Sequence, residues 1–149
     1  MKKYKNLLTI IIPRHIDRVS SIKDQLLKMN LTVHLDEPKK KINPNTDVYL
    51  VNSYGKTKSF YKLCKNVFLG GSLIKHGGQN PLEAVRYGCN IIHGPNISNF
   101  KEIYEFLKKK NVSNKVIDQK DLASVLYKTL KKKNRSKKII QNLNFVGLD

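Results

Sequence analysis

The chain is short of acid, of arginine, of cysteine and of long apolar runs, and each shortage removes a class of protein. Its 149 residues carry 11 Asp and Glu against 29 Lys and Arg, a formal net charge of +18. Only Arg14, Arg18, Arg86 and Arg135 are arginine, and lysine supplies the other 25 basic residues. Nucleic-acid surfaces favour arginine's planar fork, so this lopsided usage reads as a coding bias rather than as a recognition face. The sequence offers no recognition-helix motif and no aromatic pair on a strand, and nucleic acid is not an expected partner. The longest apolar run, Leu7 to Ile12, is interrupted by Thr9 and falls far short of the ~20 residues of a membrane span. No small-residue cleavage pattern follows Lys2, Lys3 and Lys5, so no secretory signal is expected. Cys64 and Cys89 lack metal-type spacing and are expected to behave as small buried apolar residues in a reducing cytoplasm. His15, His34, His76 and His93 lack ligand spacing, and there is no Asp-x-Asp pair to hold a divalent ion. No metal or other cofactor is expected.

What is present is the alternation of short apolar runs with amphipathic stretches, the pattern of a doubly wound, mostly parallel α/β sheet of Rossmann-like type. A 40% hydrophobic content is adequate for one domain. Strands are expected at Leu7 to Ile12, Thr32 to Leu35, Val48 to Val51, Val67 to Leu69, Asn90 to His93 and Lys115 to Ile117. Val19, Ile22, Leu26 and Met29 recur at helical spacing after the first strand. Further helices are predicted over Lys56 to Cys64, Pro81 to Tyr87, Phe100 to Lys110, and from the cap Asp118 to about Lys133. Gly88 suits the end of the helix at Pro81 to Tyr87, and Asp36 to Thr46 reads as a loop. The stretch from Arg135 to Phe145 reads as a basic tail or one more helix.

The richest stretch is VFLGGSLIKHGGQNPLEA, from Val67 to Ala84. Gly70, Gly71, Gly77 and Gly78 allow positive φ and close approach of the backbone to a ligand. Asn80 suits an N-cap and Pro81 a first helical residue, and the positive end of that helix would face an anion. Asn80 with Glu83 is also how an ordinary helix satisfies its own first-turn donors. In a doubly wound sheet ligands bind beyond the carboxyl ends of the strands. Four loops lie there and are expected to converge on one crevice: Pro13-Arg14-His15, Asn52-Ser53-Tyr54-Gly55, Gly70-Gly71-Ser72 and Gly94-Pro95-Asn96. A guanidinium at Arg14 could clasp a phosphate or a carboxylate bidentately.

Four motifs in order, Pro13-Arg14-His15, Phe68-Leu69-Gly70-Gly71-Ser72-Leu73, Gly77-Gly78-Gln79-Asn80-Pro81-Leu82-Glu83, and Gly94-Pro95 followed by Asn99-Phe100-Lys101-Glu102-Ile103, carry a resemblance. From Leu7 to about Lys110 the chain resembles the carboxyl half of 3-deoxy-D-manno-octulosonic acid (Kdo) transferases, two-domain glycosyltransferases of the GT-B type. The resemblance implies that Glu83 accepts from ribose hydroxyls, that the backbone near Asn80 faces the phosphate, and that Arg14 and His15 contact the donor CMP-Kdo. It implies further donor contacts from Ser53, Tyr54, Gly55, Gly71, Ser72, Gly77, Gly78 and Asn99, although Asn99 also suits a cap for the helix at Phe100. Phe100 is expected to pack. The family pattern Asp-Thr/Ser-x-Gly-Glu is replaced here by Asn52-Ser53-Tyr54-Gly55-Lys56, so no carboxylate role transfers to that loop. Lys56 is either a surface residue or placed to meet a negative ligand.

The resemblance implies metal-independent transfer of Kdo to a lipid A precursor in lipopolysaccharide synthesis, with the general base in an amino-terminal domain absent from this chain. On that expectation residues 1–133 form the donor-binding domain and 134–149 the tail. The chain is either a fragment or works with a separate polypeptide, and alone it binds CMP-Kdo without transferring the sugar. Its lysine clusters fit a peripheral contact with the anionic cytoplasmic face of the bacterial inner membrane. Two alternatives stand beside this reading: a GT-B donor domain for another nucleotide sugar, and a basic non-enzymatic binder of nucleic acid or membrane.

Overall fold

A computed structural model describes residues 7–131, and the expected tail at 134–149 lies outside the described residues. The chain divides into two compact units, Met1–Thr57 and Lys58–Asp149. Each builds its own three-stranded parallel sheet, so the six strands expected of one wound sheet are hydrogen-bonded as two sets of three.

In the first unit β1 (Thr9–Ile11), β2 (Val33–Leu35) and β3 (Val48–Leu50) lie in the order β1-β3-β2. Val48 stands opposite both Thr9 and Val33, and Leu50 opposite both Ile11 and Leu35. The central strand is the most buried, with Val48, Leu50 and Val51 in the core, as parallel pairing on both edges requires. The strands are shorter than their apolar runs. Beyond them the ladder still continues through Asp36 N–H donating to Leu50 O (2.9 Å) and Val51 N–H to Ile11 O (2.9 Å). A 3₁₀ turn, Ile16–Arg18, leads into α1 (Val19–Lys28). Asn30, in the left-handed region at φ 57°, ends that helix, as an αL residue commonly does. Met29, expected on the apolar stripe, is 68% exposed because it falls at the C-cap, past the last helical turn.

In the second unit β4 (Asn66–Phe68), β5 (Asn90–His93) and β6 (Ser113–Lys115) lie in sequential order. β6 runs two residues earlier than expected. Its register is set by Ile91, Ile92 and His93 of β5 opposite Ser113, Asn114 and Lys115. Val112 and Val116 flank the strand as buried residues, while Ile117 is left 70% exposed. α2 (Thr57–Leu63) enters this unit, followed by α3 (Leu82–Arg86), α4 (Lys101–Lys109) and α5 (Gln119–Leu130). Leu69, Ala84, Val85, Cys89, Ile91, Tyr104, Leu107 and Val112 form the core, with Phe100 packed against it as expected. Burying each large side chain of that set contributes about 1.5–3 kcal/mol, which is what holds so short a helix as α3.

The ends of the helices follow local chemistry. Asp118 caps α5 as predicted, its Oδ1 accepting from Asp121 N–H at 2.8 Å. Gly88, at φ 78°, follows α3, and Asn111, at φ 57°, follows α4. α4 starts at Lys101 rather than Phe100, because a 3₁₀ turn, Ser98–Phe100, precedes it. Cys64 and Cys89 are free thiols, and Cys89 is fully buried with Sγ donating to Cys64 O at 3.2 Å. Burial pushes the Cys89 thiol up to about 12, so it behaves as an apolar residue.

Candidate functional site

In the second unit the loop after β4 and the loop after β5 are bound to each other at the carboxyl end of the sheet. Ser72 is the fastening. Its buried hydroxyl donates to Leu69 O (2.6 Å) and accepts from Gly94 N–H (2.8 Å). Its carbonyl accepts from Asn96 N–H (2.9 Å) and from Asn96 Nδ2 (3.1 Å). The hydroxyl donates and accepts inside the protein and Ser72 is fully buried, so in this structure its Oγ is a positioning group rather than one of the expected donor contacts. Farther along the same loop, Asn99 N–H donates to Gly77 O (3.1 Å) and Asn99 Nδ2 to His76 O (3.4 Å). Asn99 is thus no cap for α4. It closes the second loop onto the glycine turn. The hydroxyl of buried Tyr104, on α4, donates to Gln79 O at 2.8 Å and anchors the far end of that turn.

The glycines divide by cause. Gly71, Gly77 and Gly78 hold φ of 72°, 78° and 76°, where an L side chain is strained. Gly70 has no positive φ and open space around it, contrary to expectation. A Cβ on Gly77 would sit 2.5 Å from Asn99 Nδ2, and one on Gly78 would lie 3.1 Å from Asn96 O. The close approach these glycines permit is first of all to the neighbouring loop. The cradle is preformed by the protein itself.

α3 opens differently from expectation. Pro81 is the N-cap and Leu82 the first helical residue, and Asn80 Oδ1 accepts from Leu82 N–H at 3.0 Å from one position farther back. Glu83 does not reach back to close a capping box. Its Oε1 lies 3.7 Å from Lys58 Nζ, with the Glu83 side chain 45% exposed. A loose exposed pair of this kind contributes little and leaves the carboxylate open to another donor. Behind the loops His93 is buried against Tyr104, ring centroids 4.3 Å apart, with Nδ1 2.8 Å from Gly94 O. A carbonyl only accepts, so Nδ1 carries the proton. Burial holds the His93 imidazole below its ordinary value, which keeps it neutral and makes it part of the scaffold.

In the first unit the corresponding rim carries Arg14, His15, Ser53, Tyr54 and Gly55. Arg14 and His15 are exposed just past β1, and neither side chain has a hydrogen bond or ion pair among the described residues. Tyr54 OH accepts from Ile16 N–H at 3.5 Å, which ties the loop after β3 to the loop after β1. Gly55 sits at φ 82° and a Cβ there would meet nothing within 4 Å, so the glycine is there for the turn.

The same rim holds a group that sequence reasoning missed. Asp36, the residue after β2, is only 9% exposed. Its Oδ1 accepts from Tyr49 OH (2.6 Å), and its Oδ2 accepts from Lys56 Nζ (2.5 Å) and Ser53 Oγ (3.5 Å). Burial raises the Asp36 carboxyl, but the hydrogen bonds from Lys56, Tyr49 and Ser53 and the charge of Lys56 outweigh it and hold the group below its ordinary value. Burial and the Asp36 carboxylate together push the Tyr49 phenol up to about 12. Lys56 is therefore placed to meet an anion, and the anion is within the protein. The only signal in the sequence was an acid at a strand end with a lysine after the next strand, a pattern too common to single out.

Among the described residues no cluster of three His, Cys, Asp or Glu side chains could hold a metal ion, and no helix is long and apolar enough to cross a membrane. No protein-family model matches the sequence. Individual relatives do. The chain is 37% identical over 107 residues to the 3-deoxy-D-manno-octulosonic acid transferase of Haemophilus influenzae, covering 72% of this chain and 25% of the relative. It is 29% identical over 125 residues to the enzyme of the same name from Aquifex aeolicus, covering 84% of this chain and 34% of the relative. The chain thus spans about a quarter to a third of the length of these relatives. Its structure is similar to the crystal structure of the C-terminal CMP-Kdo binding domain of WaaA from Acinetobacter baumannii, at a TM-score of 0.83 and 26% identity, over 92% of this chain and 72% of that one.

Proposed function

We propose, from the premise that the chain is a homologue of the Kdo transferases, that it is the donor-binding half of such an enzyme. It takes CMP-Kdo at the carboxyl ends of its strands, and Kdo passes to a lipid A precursor held by an amino-terminal domain or a separate polypeptide. The observation that carries this reading is the pair of loops clasped through Ser72, Asn96 and Asn99, in a fold shared with a CMP-Kdo binding domain.

In this reading Glu83 accepts from the ribose hydroxyls, and the turn through Gly71, Gly77, Gly78 and Asn80 lies against the nucleotide. Arg14, with His15, is assigned to the phosphate or the sugar carboxylate, and Ser53, Tyr54 and Gly55 are assigned further donor contacts. When CMP leaves, negative charge grows on its phosphate, and a guanidinium already in place stabilises that charge without solvent reorganisation. The reading assigns this chain's residues to the donor and leaves deprotonation of the acceptor hydroxyl to the part of the enzyme that holds the acceptor. Lysines on the exposed faces draw the whole toward the anionic cytoplasmic leaflet, each contributing ~1 kcal/mol near the surface.

Calorimetric titration with CMP, UDP and GDP tests the proposal. CMP is expected to bind best, and Glu83→Gln is expected to weaken CMP binding while stability stays within about 0.5 kcal/mol. Absent or indiscriminate nucleotide binding, or affinity for polyanions that only climbs as salt falls, would refute it.

A further inference from the structure

The pair Asp36–Lys56 is built unlike an ordinary surface salt bridge. The Asp36 side chain is 10% exposed and the Lys56 side chain 43%. The carboxylate is well satisfied, with each oxygen receiving at least one protein donor. The ammonium is not: it has three N–H donors, and among the described residues its single hydrogen-bond acceptor is Asp36 Oδ2. A buried anion thus pins a half-exposed cation that keeps donors to spare.

Its position matters as much as its bonding. Lys56 ends the loop after β3, the central strand of the first sheet, at the end of the strands where parallel α/β sheets bind ligands. Through Tyr54 OH and Ile16 N–H, that loop touches the one that begins at Arg14. The rim therefore presents two cations of different kinds, a free guanidinium and a fixed ammonium. Fixing a lysine costs rotamer entropy, and here folding has already met that cost, so an anion arriving at Lys56 finds it pre-organised.

We infer that Lys56, held by Asp36 and Tyr49, is a second cationic contact for an anionic group of the donor and sets this chain's preference for a doubly anionic ligand. The inference rests on the donor-binding reading above, whose ligand carries a phosphodiester and a carboxylate. It reassigns a position where the family resemblance leads one to expect a glutamate. Asp36 is a positioning residue in this arrangement, since its nearly buried carboxylate faces Tyr49, Ser53 and Lys56 and would repel an anion.

The test is titration of the whole chain and of Lys56→Gln, Lys56→Arg and Asp36→Asn with cytidine, CMP and CMP-Kdo, each variant first checked by thermal melting. Lys56→Gln is expected to weaken an anionic ligand by about tenfold while leaving cytidine binding unchanged, with Lys56→Arg restoring most of the affinity. A loss already seen with CMP assigns Lys56 to the phosphate, and a loss confined to CMP-Kdo assigns it to the carboxylate. Asp36→Asn should give a smaller loss in the same ligands, because the ammonium remains but is no longer held. If the natural chain binds CMP and Lys56→Gln binds all three ligands equally well, this inference falls and the donor-binding reading stands. If the natural chain binds no cytidine nucleotide, both fall.

Discussion

Gly94→Ala puts the clasp between the two rim loops to a direct test. A Cβ at Gly94 would lie 2.3 Å from Ser72 O, 2.5 Å from Ser72 C and 2.6 Å from Leu73 N, all of them backbone atoms that no rotamer change can move aside. Against ordinary contact distances of about 3.5 Å, one loop must retreat by about 1 Å. Three hydrogen bonds cross that gap: Gly94 N–H to Ser72 Oγ at 2.8 Å, and Asn96 N–H and Nδ2 to Ser72 O at 2.9 and 3.1 Å. Overpacking costs about 1–3 kcal/mol and each weakened hydrogen bond up to about 1, so the expected loss is about 3 kcal/mol. At ~3 °C per kcal/mol the melting temperature should drop by about 10 °C. Gly70→Ala is the matched control. Its Cβ meets nothing within 4 Å and its φ is ordinary. It should be neutral or up to about 1 kcal/mol more stable. Urea unfolding followed by far-UV circular dichroism measures both. If Gly94→Ala stays within about 1 kcal/mol of the natural chain at an unchanged slope, or if Gly70→Ala is equally damaging, the described contact between the loops is wrong.

Two further outcomes follow from the same geometry. Tyr104→Phe deletes the bond to Gln79 O and keeps the ring against His93, so stability should fall by about 1 kcal/mol, with a parallel loss of CMP affinity in calorimetry. Unchanged CMP affinity in that variant would show that the anchor does not shape the cradle. The folded Asp36 carboxyl lies below its ordinary value of 3.8, so its contribution is fully present above that value and is lost as pH falls through the folded value. Urea midpoints of the natural chain and Asp36→Asn should therefore differ near neutrality and converge in strong acid, and a gap that stays constant down to about pH 3 would refute the pairing.

What could be read in the sequence was whatever is written locally. Asp118 announces a helix start, Gly88 a helix end, and Gly71 with the pair Gly77-Gly78 a turn of unusual backbone. The apolar runs at Leu7 to Ile12 and Val48 to Val51 marked strands, because buried parallel strands are continuous in Val and Ile. β6 lies two residues before its apolar signal because Ser113-Asn114-Lys115 looks like a turn, and only its pairing to Ile91, Ile92 and His93 makes it a strand. Asn99 suits a cap as well as a donor contact, because an Asn before an apolar helix has that use. Its partner, His76 O, is 23 residues away. Asp36 looked like the first residue of a solvated Pro- and Lys-rich loop. It is buried because its own N–H extends the ladder to Leu50 O and because Tyr49 and Lys56 arrive from the next strand and the loop after it. The family resemblance supplied the order of the motifs and the kind of ligand, and it too was silent on Asp36, since the resembled pattern places its carboxylates elsewhere. The residues that shape a binding rim are joined by bonds between segments 13 to 38 positions apart, such as Asp36 with Tyr49, Gln79 with Tyr104 and Ile16 with Tyr54. Substituting either member of such a pair acts on the loop its partner holds as well as on its own.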